Sequence, residues 1–167
     1  MKNYRLNLKP LTDEAFAPFG NVIQKQGHYP EETNYGQTRK YARLADIDVS
    51  DQEGTVAVHI YRSRQISLPF RIEVMERHPL GSQAFMPLHD RPFLVVVAPP
   101  AEKLAFKEIH GFFTNGEQGV NFHKGVWHHH QISLDEISDY LVIDRDGPGN
   151  NKIEQHISKA LFIEELM

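Results

Sequence analysis

Short runs rich in Val, Ile and aromatic residues recur along most of the chain, separated by Gly, Pro or Asp. Runs of this length and composition are typical of β-strands, and their spacing favours a sandwich or barrel of largely antiparallel strands. The predicted strands are, in chain order, TVAVHIYRS, LPFRIEVMERH, SQAFMPL, PFLVVVAPP, EIHGFFT, GVNFHKGVWHHH and DYLVIDR. Among them, the uninterrupted apolar run FLVVVA is expected to lie wholly in the core.

Both ends of the chain and one internal segment depart from this strand pattern. Near the N-terminus, LTDEAFAPFG predicts a short helix that Thr12 or Asp13 caps and that Pro18 and Gly20 end, with a strand at NVIQ after it. Residues 26–40 are polar and contain Gly, Pro and Asn, so they predict a mobile loop. The C-terminal NKIEQHISKALFIEELM predicts a strand followed by a helical turn.

Composition narrows the class of protein. The 167 residues predict a single domain over residues 1–167, long enough to bury a core. A net charge of −4 argues against general nucleic-acid binding, which needs a basic surface. No run approaches the roughly 18 apolar residues of a membrane span, and the first residues lack the apolar core of a signal peptide. With no cysteine, disulfides, zinc fingers and thiol catalysis are excluded, and a cytoplasmic location is expected.

The first candidate site lies in EVMERHPLGSQAFMPL. Residues two apart in a strand face the same side, so Glu76 and His78 are expected to point together. PLGS can turn the chain so that QAFMPL pairs back as the second arm of a hairpin, which would bring Gln83 to the same face. The alternative is a polar edge where these side chains only hydrogen-bond one another.

The second candidate site is GVNFHKGVWHHHQISL, which holds four of the ten histidines. Gly125 permits a tight turn, so His123 and His128 are expected to sit on facing arms. His128 and His130 share one face of their strand, and His129 has the other. Imidazole binds metals and titrates near neutral pH, so either role is open. For His129 and His130, an exposed or core position is the simpler interpretation.

Other polar residues near these motifs give weaker signals. Trp127 is expected to be a core or pocket-wall aromatic residue. Asn121 and Gln118 offer neutral hydrogen-bonding groups to a small polar ligand, although such residues are usually part of loop structure. Asp144 and Arg145 are adjacent in VIDRDGPGN and are expected to pair with each other.

The two motifs resemble the signature motifs of the cupin superfamily. The first cupin motif has His-x-His followed by Glu, and the second has Pro-x-Gly-x-x-His. The corresponding positions here hold Glu76, His78 and Gln83 in the first motif, and His123, Gly125 and His128 in the second. A closer resemblance is carried by ERHPLGSQAF, TNGEQGVNFHKGVWHH and DYLVIDR, which are similar to the ureidoglycolate lyase family. It extends from LTDEAFAPFGNVI through IDRDG, nearly the whole chain.

This resemblance implies a mainly β fold, a cupin-type antiparallel β-barrel (double-stranded β-helix or jelly roll) with a few short helices. It implies a homodimer that splits (S)-ureidoglycolate into glyoxylate and urea in allantoin degradation. It also implies a divalent metal, nickel or another such as manganese or iron, and no organic cofactor. The ligand set would be Glu76, His78, Gln83 and His128, weakened by the neutral Gln.

Cleavage of such a substrate needs a base for the hydroxyl proton, an acid for the leaving nitrogen, and a partner for the carboxylate. The catalytic candidates are His78, His123 and His128. The substrate-binding candidates are Gln83, Asn121, Trp127, and a basic residue such as Arg64 or Lys124. The competing hypotheses are a non-catalytic cupin that binds or senses a small molecule, and a metal-dependent cupin enzyme acting on another small hydroxy acid.

Overall fold

The computed structural model describes residues 2–166, and most of its regular structure is β-strand. One α-helix, α1, spans Asp13–Phe16, and single 3₁₀ turns span Asp51–Glu53 and Phe106–Glu108. The strands are β1 Asn3–Arg5, β2 Leu8–Pro10, β3 Gly20–Ile23, β4 Glu31–Thr33, β5 Thr38–Lys40, β6 Thr55–Ser63, β7 Phe70–Arg77, β8 Gln83–Pro87, β9 Phe93–Ala98, β10 His110–Phe113, β11 Gly119–Phe122, β12 Trp127–His128, β13 Ile132–Ser133, β14 Ser138–Asp146 and β15 Ile153–Ile163. Across the described residues, no helix is long and apolar enough to cross a bilayer.

Two sheets form the body of the fold. The larger sheet has the strand order β1-β15-β7-β12-β9-β10-β2, with β13 beside β9, and the smaller sheet has the order β3-β11-β8-β14-β6. Nearly all pairs are antiparallel, the exceptions being β1 with β15 and β2 with β10. The expected fold class, a mainly β cupin-type barrel, is confirmed.

Local predictions near the chain ends had mixed outcomes. Helix α1 begins after Thr12, whose Oγ1 accepts a hydrogen bond of 3.1 Å from the Ala15 amide, as the capping signal indicated. The mobile loop predicted at 26–40 is wrong in part, because β4 and β5 pair there as a separate hairpin. The predicted C-terminal helical turn is also wrong, since β15 continues to Ile163 along β7.

The two predicted hairpins around the site motifs are wrong, and the difference matters for the cavity. β7 pairs with β12 and β15 in the larger sheet, whereas β8 pairs with β11 and β14 in the smaller one. The Gly125 turn likewise carries the chain from β11 in the smaller sheet to β12 in the larger. Turn residues mark where the chain reverses, but distant strands decide which sheet it joins. Each motif therefore contributes to both sheets.

The core is divided by the larger sheet. All six residues of β9 are buried, which confirms the expectation for FLVVVA. Val95 and Val97 pack with side chains of the smaller sheet such as Phe85, whereas Leu94 and Val96 belong to a second cluster on the other face. A strand buried on both faces carries an unbroken apolar run rather than an alternating one. β9 thus holds the two apolar clusters together.

His129 is part of this buried structure. Its side chain is only 4% exposed and packs edge-on against Phe70, with ring centroids 5.7 Å apart. Its Nδ1 donates a 2.9 Å hydrogen bond to the carbonyl oxygen of His130. Burial, and then the neighbouring His130, lowers the pKa of His129 from 6.5 to about 4. The imidazole is therefore neutral at pH 7.

A neutral buried histidine makes stability depend on pH. Between about pH 6.5 and pH 4 the unfolded chain takes up a proton at His129 that the folded chain refuses, so stability falls as the pH falls. His129→Gln should remove this dependence. Between pH 7 and pH 5, the free energy of unfolding of this variant should fall by about 2 kcal/mol less than that of the unmodified chain. Urea unfolding at both pH values measures the difference. The exposed His28→Gln is the control; an equal loss in all three chains would contradict the prediction.

Candidate active site

A cavity of about 590 Å³ lies between the two sheets. Strands β7, β12 and β15 of the larger sheet form one side, and β6, β8 and β14 of the smaller sheet form the other. The register of the strands in the larger sheet explains which of its residues face the cavity. Glu76 lies opposite His128 on β12 and opposite Glu154 on β15, so the three residues form one row across three strands. Residues in such a row project to the same face, here toward the cavity.

Three potential ligand atoms converge within this cavity. Glu76 Oε1 lies 3.7 Å from His128 Nε2 and 3.8 Å from His78 Nε2. One ligand atom from each of these three residues lies within 4.8 Å of the others. The separations are too long for hydrogen bonds, but they suit atoms arranged around a common point. A divalent metal ion could occupy such a point.

Backbone carbonyls determine which imidazole nitrogens face the cavity. His78 Nδ1 donates to the Asn151 oxygen at 2.6 Å, and His128 Nδ1 donates to the Val126 oxygen at 3.0 Å. Because a carbonyl only accepts hydrogen bonds, each Nδ1 carries the hydrogen and each neutral ring presents a lone pair at Nε2. Both Nε2 atoms are buried and have no hydrogen-bond partner among the described residues. This is the arrangement of a histidine metal ligand held by its second nitrogen.

Gln83 adds a fourth lone pair. The side chain is 5% exposed, and its Nε2 donates to Asp144 Oδ2 at 3.0 Å. Its Oε1 is buried and has no hydrogen-bond partner within residues 2–166. An acceptor left unpaired in this way costs about 1–3 kcal/mol. Two imidazoles, one carboxylate and one amide oxygen are a donor set that fits a divalent cation, and a cation would satisfy these lone pairs together.

Burial also fixes the charge of His128. Its ring stacks on Phe122 at 4.3 Å and is 1% exposed. Desolvation, followed by the neighbouring His78, lowers the pKa of His128 from 6.5 to about 3. A lone pair that binds protons so weakly suits a metal ligand better than a general base working near pH 7.

Lys152 is the cation that faces the site. Its Nζ lies 3.1 Å from Glu76 Oε2 and 2.9 Å from Glu154 Oε1, and these contacts raise its pKa. The other cationic side chain in the described lining, Arg145, donates instead to the carbonyl oxygens of Asp51, Gln52 and Pro148. Lys152 is thus placed to meet an anionic ligand.

Comparison with known proteins connects this site to a family. A family profile described as ureidoglycolate lyase matches residues 3–164. A protein named ureidoglycolate lyase from Burkholderia mallei (strain NCTC 10229) is 49% identical over 160 residues, 96% of this chain and 94% of its own. One of that name from Pseudomonas paraeruginosa is 47% identical over 146 residues, 87% of this chain and 86% of its own. One from Pseudomonas syringae pv. syringae is 44% identical over 159 residues, 95% and 94% of the two chains.

The chain belongs to the ureidoglycolate lyase family. In this member of the family, the structure brings the four predicted metal-ligand residues, Glu76, His78, Gln83 and His128, to one cavity. His130 lines it as well. The expected alternation of His128, His129 and His130 along one strand is wrong, because β12 ends at His128 and the rings of His129 and His130 pack together with centroids 3.9 Å apart.

The remaining sequence candidates lie outside this cavity. The expectation that His123 and His128 face each other across the Gly125 turn is wrong, because the turn leads from one sheet to the other. His123 is exposed, and its Nε2 lies 3.3 Å from Asn21 Oδ1. Lys124 Nζ forms ion pairs with Asp48 at 3.0 Å and Asp51 at 2.7 Å.

Four further candidates are also absent from the cavity lining. Asn121 is fully buried and donates to Asn21 Oδ1 and to the carbonyl oxygen of Asp46, at 3.0 and 2.9 Å. Trp127 is 1% exposed in the core and donates from Nε1 to the Ala101 oxygen at 3.0 Å. Arg64 is exposed and follows the end of β6. Gln118, the weaker candidate, donates to Gln24 at 2.8 Å as part of loop structure.

The cavity also contains residues that sequence reasoning missed as site residues. The expected pairing of Asp144 with Arg145 is wrong, because Asp144 accepts from Gln83 whereas Arg145 donates to backbone carbonyl oxygens. Tyr61 faces the cavity from β6, and burial followed by Asp144 and Glu76 raises its pKa, which keeps the phenol protonated. Lys152 follows the turn before β15, where no sequence pattern indicated a site.

Removing the carboxylate should test the cation site directly. We expect Glu76→Gln to weaken nickel and manganese binding at least about tenfold, because it removes the anionic donor that joins the two imidazoles. Isothermal titration calorimetry measures the affinities. Glu73→Gln, an exposed carboxylate on the same strand that pairs with Arg71 at 3.5 Å, should bind these ions like the unmodified chain. Equal affinities in the two variants would rule out a cation site at Glu76.

Proposed function

We propose that this chain splits (S)-ureidoglycolate into glyoxylate and urea, a late step of allantoin degradation. The observation that carries this proposal is the convergence of Glu76, His78 and His128 in one cavity of a chain that matches the family over residues 3–164. Relatives of 44–49% identity bear the name of this activity. The substrate is a small hydroxy acid that carries a ureido group, and a cavity of about 590 Å³ has room for it.

We further propose that Glu76, His78, Gln83 and His128 hold a divalent cation, with nickel as the first choice and manganese or iron as alternatives. The unpartnered lone pairs of His78, Gln83 and His128 support this choice. When bound, such an ion supplies a Lewis acid that lowers the pKa of the substrate hydroxyl. These four residues therefore act as ligands rather than as proton carriers.

Lys152 takes the role that the sequence had offered to Arg64 or Lys124, binding the substrate carboxylate. Its ammonium has three donors, and contacts with Glu76 and Glu154 account for two of them. The third can donate to an anion in the cavity. A charge-assisted hydrogen bond of this kind both binds and orients a small acid.

Two other cavity residues suit the proton transfers. Burial lowers the pKa of His130, so its imidazole is neutral near pH 7 and can accept the hydroxyl proton. The oxygen electrons then form the carbonyl of glyoxylate, and the carbon–nitrogen bond breaks with its electron pair on the urea nitrogen. Tyr61 keeps its phenolic proton at this pH and can donate it to that nitrogen. Water returns the proton from His130 to Tyr61 after the products leave.

The wider setting of the proposal comes from the resemblance and the composition. We propose one cupin-like domain over residues 1–167, a homodimer, a cytoplasmic location and no organic cofactor. The exposed apolar side chains of Val56, Val58 and Ile60 on the edge strand β6 are compatible with contact between subunits.

The proposed reaction can be measured directly. Purified chain is mixed with (S)-ureidoglycolate, and glyoxylate and urea are followed together, with and without added nickel. We expect equal amounts of both products, and faster release when nickel is present, because the cation lowers the hydroxyl pKa. Glu76→Gln at the same concentration corrects for spontaneous breakdown of the substrate. A rate equal to that of this variant in both conditions would exclude the lyase activity.

Replacing Lys152 tests the carboxylate partner. Lys152→Met keeps the alkyl chain and removes the charge, so we expect kcat/KM to fall about tenfold or more, mainly through a higher KM. Lys152→Arg should recover part of the loss. Lys124→Met removes a lysine that is paired with Asp48 and Asp51 outside the cavity, and should keep kcat/KM within about twofold. The reverse ranking of the two methionine variants would return the role to Lys124.

A further inference from the structure

The two ends of the Gln83 amide are chemically opposite, so its orientation decides what the cavity contains. With Oε1 toward the cavity the residue offers a lone pair, and with Nε2 it would offer two N–H donors. The second arrangement would place hydrogen-bond donors where a ligand atom is needed and would repel a cation. Some feature of the structure must therefore select the first arrangement.

Asp144 provides that selection. Its Oδ2 accepts the 3.0 Å hydrogen bond from Gln83 Nε2, and an ionised carboxylate can only accept. A flipped amide would place Oε1 against Oδ2, two acceptors without a hydrogen between them. The contact follows from register, because Gln83 precedes Ala84, which pairs with Ile143, and Asp144 follows Ile143.

The carboxylate is itself held in place. Asp144 Oδ1 lies 3.2 Å from His59 Nε2, which donates to it from the neighbouring strand β6. The pairing of Asp144 with Ala57, and of Val142 with His59, places these side chains on the same face of β6 and β14. Both oxygens therefore have partners, which fixes the plane of the carboxylate and hence the direction of the Gln83 amide.

We propose that Asp144 is a positioning residue: it holds the Gln83 amide nitrogen, so that the unpartnered carbonyl oxygen is available as a ligand in the cavity that Glu76, His78 and His128 also line. His59 supports it by holding the second carboxylate oxygen. The inference rests on the proposed cation site, and it assigns to Asp144 and His59 an effect on cation affinity that acts through Gln83.

A double-mutant cycle separates this effect from the negative charge of Asp144. Nickel and manganese affinities are measured by calorimetry, without substrate, for the unmodified chain, Asp144→Asn, Gln83→Met and the double variant. The amide introduced by Asp144→Asn can either accept from Gln83 or donate to it, so the orientation of Gln83 is no longer fixed. We expect Asp144→Asn to weaken binding about tenfold when Gln83 is present, and less than about twofold in the Gln83→Met background.

Asp139→Asn is the matched control. Asp139 lies on the same strand, and its carboxylate accepts from Arg62 at 2.8 and 2.9 Å outside the cavity. It should leave cation affinity unchanged. His59→Leu provides a second route at a more exposed position, and should weaken binding about threefold only when Gln83 is present. If Asp144→Asn loses its cooperative unfolding transition, the cycle with His59→Leu decides.

Several results would overturn the proposal. One is an unchanged cation affinity in Asp144→Asn. Another is an equal loss of affinity with Gln83 present and in the Gln83→Met background, which would indicate an effect of charge alone. The third is an unmodified chain that binds neither nickel nor manganese. The titrations contain no ureidoglycolate, so their outcome is independent of the lyase assay. If the double-mutant cycle shows coupling but the lyase assay shows no urea release, the proposed reaction is wrong and the positioning role stands. If urea is released but the cycle shows no coupling, the reaction stands and the positioning role is wrong.

Discussion

Two hydrogen bonds to backbone carbonyls determine the chemistry that this cavity can support. The oxygens of Asn151 and Val126 each take the Nδ1 hydrogen of a buried imidazole, which leaves the Nε2 lone pairs of His78 and His128 directed toward Glu76. If either hydrogen were on Nε2 instead, the cavity would present a donor where a ligand is needed. The backbone thus fixes the tautomers, and burial keeps the His128 ring from becoming charged.

The charged side chains of the cavity are arranged around these two imidazoles. Glu76 Oε1 lies near the Nε2 atoms of both imidazoles, and Glu76 Oε2 contacts the Lys152 ammonium. Such an arrangement gives the carboxylate a cationic partner at one oxygen and leaves the other oxygen facing the imidazoles. It also places the negative ligand and the positive substrate partner side by side, so that a cation and a carboxylate can occupy neighbouring parts of one cavity.

Many of the strands and the buried position of β9 could be predicted from the sequence, because they depend on the pattern of neighbouring residues. The composition and spacing of the apolar runs predicted most of the strands, and the unbroken run FLVVVA predicted the burial of β9. The pairing of the strands could not be predicted in this way. The PLGS and Gly125 turns suggested hairpins, yet both connect the two sheets, because the partners of β7 and β12 come from elsewhere in the chain. His123 was assigned to the site, and Lys152 and Asp144 were missed, for that same reason.

The sheet order has a consequence for how the site forms. Asn151, which orients His78, and Lys152 and Glu154, which face Glu76, are joined to β7 through the pairing of β15. The residues that they contact lie more than seventy positions earlier in the chain. Contacts of such long sequence separation are slow to form, because the loop must close before any contact stabilises it. The cavity is therefore complete only once β15 has paired with β7, so local structure alone cannot assemble the site.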